Sequence, residues 1–387
     1  MRKKCLLVFK FPLFWNKYII NKLSKFYDTE YLYISNFKNK NFSEIIDKIN
    51  EFIESKNIEI VFFDVDFFKF INFFFIKKIK NVKKILLTGD DYALHEMNAI
   101  TANACDLVLS HCPFSVLKYK EKGYEAYRMH LENDGNLFKN YNLKKEIDVL
   151  FFGRINPDRK VLLNFITNSG ISIKIVGQDN NFVTDEELSQ LISKSRIVLN
   201  LSKSTGRTVT NYASEDIYKF GYVLKGRIII SGLCGTLCIS EYSPAQEIMF
   251  NKDEILTFYT KEECVEILKK ILKDKELLSK YTSKFCLKVF NLCEEKRNFE
   301  PIYNAIEKSN HRKIELNKIP YWYLRIAAKQ VIMRDIKLSS LIKTIFQFSE
   351  IYKIIENANF QKKLLIIFES IINVLWYSFV SVLKPKK

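Results

Sequence analysis

Apolar residues over the first 145 positions come in short runs separated by longer amphipathic stretches. The runs Cys5–Phe9, Tyr31–Ile34, Ile58–Val65, Lys83–Asp91 and Cys105–His111 are nearly continuous, which is the pattern of strands buried on both faces. Between them, Trp15–Phe26 and Phe42–Glu54 repeat apolar residues at helical spacing, the second with Asn41 placed to cap it. A helix through "FSVLKYKEKG" and the run "AYRMH" complete the series. Strands alternating with helices predict βαβ units and a parallel sheet covered on both sides.

The polar, turn-rich stretch "ENDGNLFKNYNLKKE" predicts a boundary, after which the pattern restarts. Strands are expected at Ile147–Gly153, Ile171–Gly177, Arg196–Ser202, Thr236–Ser240 and "ILTFY". Helices are expected at Asp185–Ser195, over "YVLKGRIIISGLCG" and at Lys261–Tyr281, with a polar insert at Lys203–Phe220. The expected architecture is α/β: a Rossmann-like domain over 1–145, a second over 146–300, and a basic helical tail over 301–387. Two such domains would face each other across a cleft, a frequent ligand site.

Composition adds limits. With 11 Gly and 7 Pro in 387 residues, low-complexity disorder is excluded, and 48% apolar residues suffice for two cores. The net charge is +17, but residues 301–387 carry 15 Lys/Arg against 6 Asp/Glu, so 9 of the 17 lie in the tail. A basic balance fits nucleic acid, an anionic membrane or a solvated surface. No nucleic-acid recognition motif is present, so nucleic acid is not an expected partner. The opening "MRKKCLLVFKFPLFW" is interrupted by Lys10 and Pro12 and reads as a buried strand rather than a secretory leader. Eight cysteines are then expected to stay thiols in a reducing cytoplasm. Cys234 and Cys238 lack a second Cys/His pair nearby and read as packed thiols, with no metal expected.

Functional residues in a parallel sheet gather at the carboxyl ends of its strands. In the first domain this points to Asp90, Asp91 and His95 as catalytic candidates, able to take a proton from an acceptor hydroxyl, with His111 and His130 after later strands. A helix N-cap is the alternative for one of the two aspartates. In the second domain "GRINPDRK" puts Gly153, Arg154, Arg159 and Lys160 where a strand turns into a helix, an arrangement that binds anions. A basic helix start facing water is the alternative. Lys225 and Arg227 share a further helix. "SEYSPAQE" places Glu241 and Glu247 at a strand end, where a carboxylate could accept hydrogen bonds from sugar hydroxyls; a helix-start acid plus a solvated side chain is the alternative.

The consecutive landmarks "DVLFFGRINPDRK", "ISIKIVG", "SRIVLNLS", "LKGRIIISGLCGTLCISEYSPAQEIMF" and "EILTFYTKEECVEILKKIL" resemble the GT-B fold glycosyltransferases, in particular the CgeB-like and group 1 enzymes. The resemblance covers about residues 147–281 and extends more loosely to "CDLVLSHCPFSVLKYKEKGYEAYRMHLEND". It implies transfer of a sugar from a nucleotide diphosphate sugar to a hydroxyl acceptor, with the second domain as donor domain and no cofactor. On this resemblance Gly153, Arg154 and Arg159 or Lys160 form a diphosphate clamp, Arg227 matches the arginine of a K-G-R-x-x-E segment, and Glu241, Tyr242 and Glu247 sit in the donor-sugar loop. One position departs: Ile230 stands where relatives carry the glutamate that binds the ribose, and an apolar side chain cannot accept ribose hydroxyls. A relative that binds glycan or nucleotide without transfer is the alternative function.

The tail ends in "KKLLIIFESIINVLWYSFVSVLKPKK". Glu369 and Asn373 fall on one helix face, so a helix lying on a membrane or docked on the protein is expected rather than a span. Flanking lysines favour anionic lipid through residues 360–387. The expected acceptor is accordingly a glycan or lipid-linked glycan in cell-surface polysaccharide or glycolipid assembly, and the expected location the cytoplasm, at the inner face of the membrane.

Overall fold

The computed structural model describes residues 2–13, 16–37, 40–65, 70–89, 91–129, 137–177, 183–203, 224–294, 299–309, 319–333, 351–352, 355 and 359–383. They form two compact units. The first comprises Met1–Ser110, Tyr119–Ala126 and Lys308–Lys387, the second His111–Lys118 and Tyr127–Glu307.

The first unit is built on strands β1 (Lys4–Phe9), β2 (Asp28–Tyr33), β3 (Ile60–Val65), β4 (Lys83–Thr88), β5 (Leu107–Ser110) and β6 (Ala126–Arg128), in the order β2-β1-β3-β4-β5-β6. The pairs from β2 through β5 are parallel. Its helices are α1 (Asn16–Leu23), α2 (Phe42–Lys56), α3 (Phe73–Lys77) and α4 (Asp91–Ala102), followed by α5 (Pro113–Glu121). Strand β3 is almost wholly buried, as its apolar run, interrupted only by the half-buried Asp64, requires when helices cover both faces. Helix α2 starts as expected: the Asn41 side chain accepts from the Glu44 N–H while Glu44 reaches back to the Asn41 N–H.

The second unit repeats the plan. Strands β7 (Ile147–Phe152), β8 (Ile173–Val176), β9 (Ser195–Asn200), β10 (Leu237–Glu241) and β11 (Leu256–Phe258) form a parallel sheet ordered β11-β10-β9-β7-β8. Counted from its own first strand, each sheet runs second, first, third, fourth, fifth, and the first sheet adds a sixth strand at the far edge. The helices are α6 (Pro157–Asn168), α7 (Asp185–Ser193), α8 (Arg227–Leu233), α9 (Pro244–Met249), α10 (Lys261–Lys273), α11 (Lys275–Cys293) and α12 (Glu300–Lys308). The stretch expected as one helix from Lys261 divides at Asp274, whose carboxylate accepts from the Leu277 N–H and caps α11.

Two tail helices, α13 (Tyr321–Met333) and α14 (Phe360–Leu383), pack on each other and belong to the first unit. Tyr323 of α13 is buried in that unit; its hydroxyl accepts from the Phe73 N–H at 2.9 Å and lies 2.9 Å from Thr101 Oγ1. Among the described residues no helix is long and apolar enough to cross a membrane. Cys234 and Cys238 are both buried, and burial pushes their thiols up to about 11 and about 12, so they pack as neutral side chains.

Candidate functional site

In a doubly wound sheet of this order, ligands collect outside the carboxyl ends of the strands where the winding reverses. In the second unit that point lies between β7 and β9. Strand β7 is followed directly by Gly153, whose φ of 112° is open to glycine. A Cβ added there would collide with the Arg227 guanidinium. The Gly153 N–H donates to Val176 O at 2.9 Å, and Gly177, also at positive φ, closes the end of β8 against it. These two glycines let an arginine from α8 lie directly on the backbone of the turn.

Arg227 opens α8 and is half-buried. Its Nε donates to Phe152 O at 2.5 Å and its Nη1 to Asn200 Oδ1 at 3.3 Å, joining the ends of β7 and β9. The guanidinium lies over the rings of Phe151 and Phe152 at 5.1 and 5.7 Å. Burial, and then the charge of Arg159, push its pKa down to about 9. Arg159 comes from the first turn of α6, where Asn156 caps the helix by accepting from the Arg159 N–H. The Arg159 side chain is buried and donates through Nη1 to Arg154 O at 2.6 Å and through Nη2 to Leu201 O at 3.5 Å. Two guanidinium groups are thereby held at one turn by neutral carbonyl and amide acceptors. An anion there would offset the cost of placing them together. Arg154 and Lys160 flank the same turn and are exposed.

Beside Arg159 a cavity of about 260 Å³ opens at the ends of β9, β10 and β11, lined among others by Asn156, Lys203, Glu241, Tyr259 and Lys261. Glu241 ends β10, and its Oε2 accepts from the Lys203 N–H at 2.7 Å. Burial raises the Glu241 pKa, against the opposing pull of Lys203 and Arg159. Beneath it Asn200 Nδ2 and Gln246 Nε2 both donate to Ser240 Oγ, at 2.8 and 2.6 Å, and Ser202 Oγ donates to Glu241 O at 2.7 Å. This buried net fixes the β9 and β10 ends in register. Glu247 lies outside the cavity lining and accepts from the Tyr242 hydroxyl at 2.8 Å. That hydrogen bond is the main cause pushing the Tyr242 phenol up to about 12. The Tyr242 ring stacks on Tyr259 at 4.7 Å.

The structure therefore brings Gly153, Arg159 and Arg227 together, sets Glu241 in the neighbouring cavity, and keeps Tyr242 and Glu247 as a pair beside it. Asn156, Lys203 and Tyr259 were not singled out from sequence. Lys203 and Tyr259 follow the ends of β9 and β11, so the strand-end rule would have found them. Ile230 is half-buried on α8, and Ser231 beside it already donates to Arg227 O at 2.5 Å.

The first-unit candidates are placed differently. Asp91 is wholly buried at the start of α4, where its carboxylate accepts from Asn98 Nδ2 at 2.7 Å, Ser110 Oγ at 2.7 Å and the Tyr119 hydroxyl at 2.9 Å. Three donors from α4, β5 and α5 make it a hub that ties those elements together. His95 is buried one turn on, with its ring 4.5 Å from that of Tyr119. His111 is half-buried, its Nδ1 3.3 Å from Met129 O. Asp90, His130 and most of the insert expected at 203–220 lie outside the described residues.

Residues 159–291 match the family model described as glycosyl transferase-like. Among solved structures, Anabaena HepE in complex with UDP and glucose superposes with a TM-score of 0.58 at 12% identity, over 79% of this chain and 100% of that one. Sucrose-phosphate synthase from Thermosynechococcus elongatus gives 0.55 at 9% identity, over 79% and 99%. The fold is that of the GT-B glycosyltransferases. An alpha-glucosyltransferase in complex with UDP and a 13-mer DNA shares it, with a TM-score of 0.51 at 12% identity, over 80% of this chain and 100% of that one. No curated protein sequence matches the chain. Within this GT-B chain the glycosyl transferase-like match begins at Arg159 and includes Arg227, Glu241 and Glu247, which is the part of the second unit that carries the paired arginines and most of the cavity lining.

Proposed function

We propose that the protein transfers a sugar, of hexosyl type, from a nucleotide diphosphate sugar to a hydroxyl of a glycan or lipid-linked glycan in cell-surface polysaccharide or glycolipid assembly. The carrying observation is the Arg159–Arg227 pair at the β7/β9 switch point, held by neutral acceptors around a glycine turn. The acceptor hydroxyl oxygen bonds to the anomeric carbon as the bond from that carbon to the diphosphate breaks; the diphosphate leaves with the electron pair, and the hydroxyl proton passes to solvent. The largest charge to be stabilised is on this leaving group, and fixed cations there act without reorganising. Arg154 and Lys160 add long-range attraction. Glu241 is the carboxylate placed to accept sugar or ribose hydroxyls where Ile230 cannot. Asp91 and His95 are not given the acceptor proton in this reading, because both are interior. UDP in two of the similar structures favours a uridine donor. A lipid-linked acceptor would bring the protein to the inner face of a membrane.

A screen of radiolabelled nucleotide diphosphate sugars tests this. Turnover is expected with at least one donor, and a fall of roughly a hundredfold or more in Arg227→Ala, in line with the loss of one charge-stabilising donor. Unchanged turnover in Arg154→Ala plus Arg227→Ala removes these residues from the mechanism. Ile230 favours a second reading, a relative that binds nucleotide or glycan without transfer. Calorimetric binding of a nucleotide diphosphate with no transfer to any acceptor would support that reading instead.

A further inference from the structure

Helix α14 has two unlike faces. Ile366 and Ser370, four residues apart, are 1% and 4% exposed and form its inner side. On the other side Phe360, Leu364, Leu365, Phe368, Ile371 and Ile372 are all exposed, Phe360 at 74% and Phe368 at 61%. At 100° per residue these six fall within roughly 140° of the circumference, and they extend about 18 Å along the axis. A continuous row of large apolar side chains on a water-facing helix is expensive to leave uncovered. Lys362 and Lys363 border the row; their ammonium groups sit over the rings of Tyr321 and Tyr352 at 5.7 and 5.2 Å. Glu369, the one acid in residues 360–387, is held by Arg325 at 2.7 Å, so it adds no free negative charge to that side. The sequence beyond the helix adds Lys384, Lys386 and Lys387.

We infer that the outer face of α14 docks on an anionic lipid surface, its apolar row entering the boundary between headgroups and acyl chains while the neighbouring lysines meet lipid phosphates. A self-associating face would be expected to pair its lysines with acids across the contact, and residues 360–387 offer five lysines against one glutamate already taken by Arg325. An amphipathic helix with an apolar face and basic flanks binds such a surface by burying apolar area and by attraction to anionic headgroups together.

The test floats the full-length protein with phosphatidylcholine vesicles and with vesicles that also contain phosphatidylglycerol. No turnover is measured, so the outcome is independent of the proposed transfer reaction. The wild type is expected to float with the anionic vesicles. The triple variant Phe360→Ser, Leu364→Ser, Phe368→Ser should bind them at least roughly tenfold more weakly, since burying the apolar face drives binding. Lys362→Gln with Lys363→Gln keeps the apolar row and should narrow the preference for anionic over neutral vesicles. Failure of the wild type to float, or equal flotation of the triple variant, overturns the inference. So does a wild-type dimer in sedimentation that the triple variant dissolves without any vesicle binding. Should the triple variant melt early, the lysine pair decides, and an unchanged lipid preference counts against docking.

Discussion

At the residue scale the second unit turns on how charges are held away from water. Arg227 carries its cation against two aromatic rings, and Arg159 lowers its pKa further. Glu241 shows the converse: burial makes its ionised form costly, so the folded protein holds that proton more tightly than the unfolded chain does. Stability should therefore fall as pH rises from the ordinary carboxylate value through the raised one, and below the ordinary value the contribution is fully present and no longer changes with pH. Glu241→Gln has no proton to lose. Its stability relative to wild type should rise between pH 4 and pH 7, as read from urea midpoints at both values; a difference that shrinks over that range would contradict the assigned direction. The same residues show what a sequence can disclose. "GRINPDRK" exposes the anion turn because glycine and arginine spacing is local. The pairing of Arg159 with Arg227 and Glu241 depends on β7, β9 and β10 lying side by side, which no local pattern encodes. The setting of Asp91 is hidden for the same reason: its three partners sit 7, 19 and 28 positions away, and only folding turns a strand-end aspartate into a buried hub.

At the element scale apolar runs are legible because a strand buried on both faces must be apolar throughout. Strands β1, β3, β5 and β7 fall within a residue or two of their expected positions, while β4 stops at Thr88, three residues short of its expected end. Helix boundaries are harder to read where periodicity continues through a cap. The stretch from Lys261 keeps its helical spacing past Asp274, yet the backbone there is extended and the carboxylate serves the following helix. Asp274→Ala should cost about 1 kcal/mol, the usual value of a lost N-cap, seen as a lower melting temperature. Asp274→Asn should retain most of it. A neutral Asp274→Ala would mean that packing alone sets the break. Short helix α3 was missed because five residues cannot display a helical period; its signal is the cap, Asn72, whose side chain accepts from the Phe74 and Phe75 N–H groups.

At the scale of the whole molecule the two sheets share one winding order, and the tail belongs to the first unit. Tyr323 ties it there through one hydroxyl shared between Phe73 and Thr101. Tyr323→Phe leaves the buried Phe73 N–H without its acceptor and should destabilise the protein by about 1–3 kcal/mol, measured by denaturant unfolding. A change below the error of the measurement would show that another acceptor takes over.

The return of the chain to its first unit also bears on biosynthesis. A ribosome delivers β1 to β5 early, but the side chain that satisfies the Phe73 amide emerges only after the entire second unit has been made. The second unit can close its sheet while the first is still waiting for its last helices, so the domain encoded first is the one completed last. A nascent chain halted before Tyr323 would carry a finished second unit together with a first unit whose Phe73 amide and Thr101 hydroxyl still lack their tail partner.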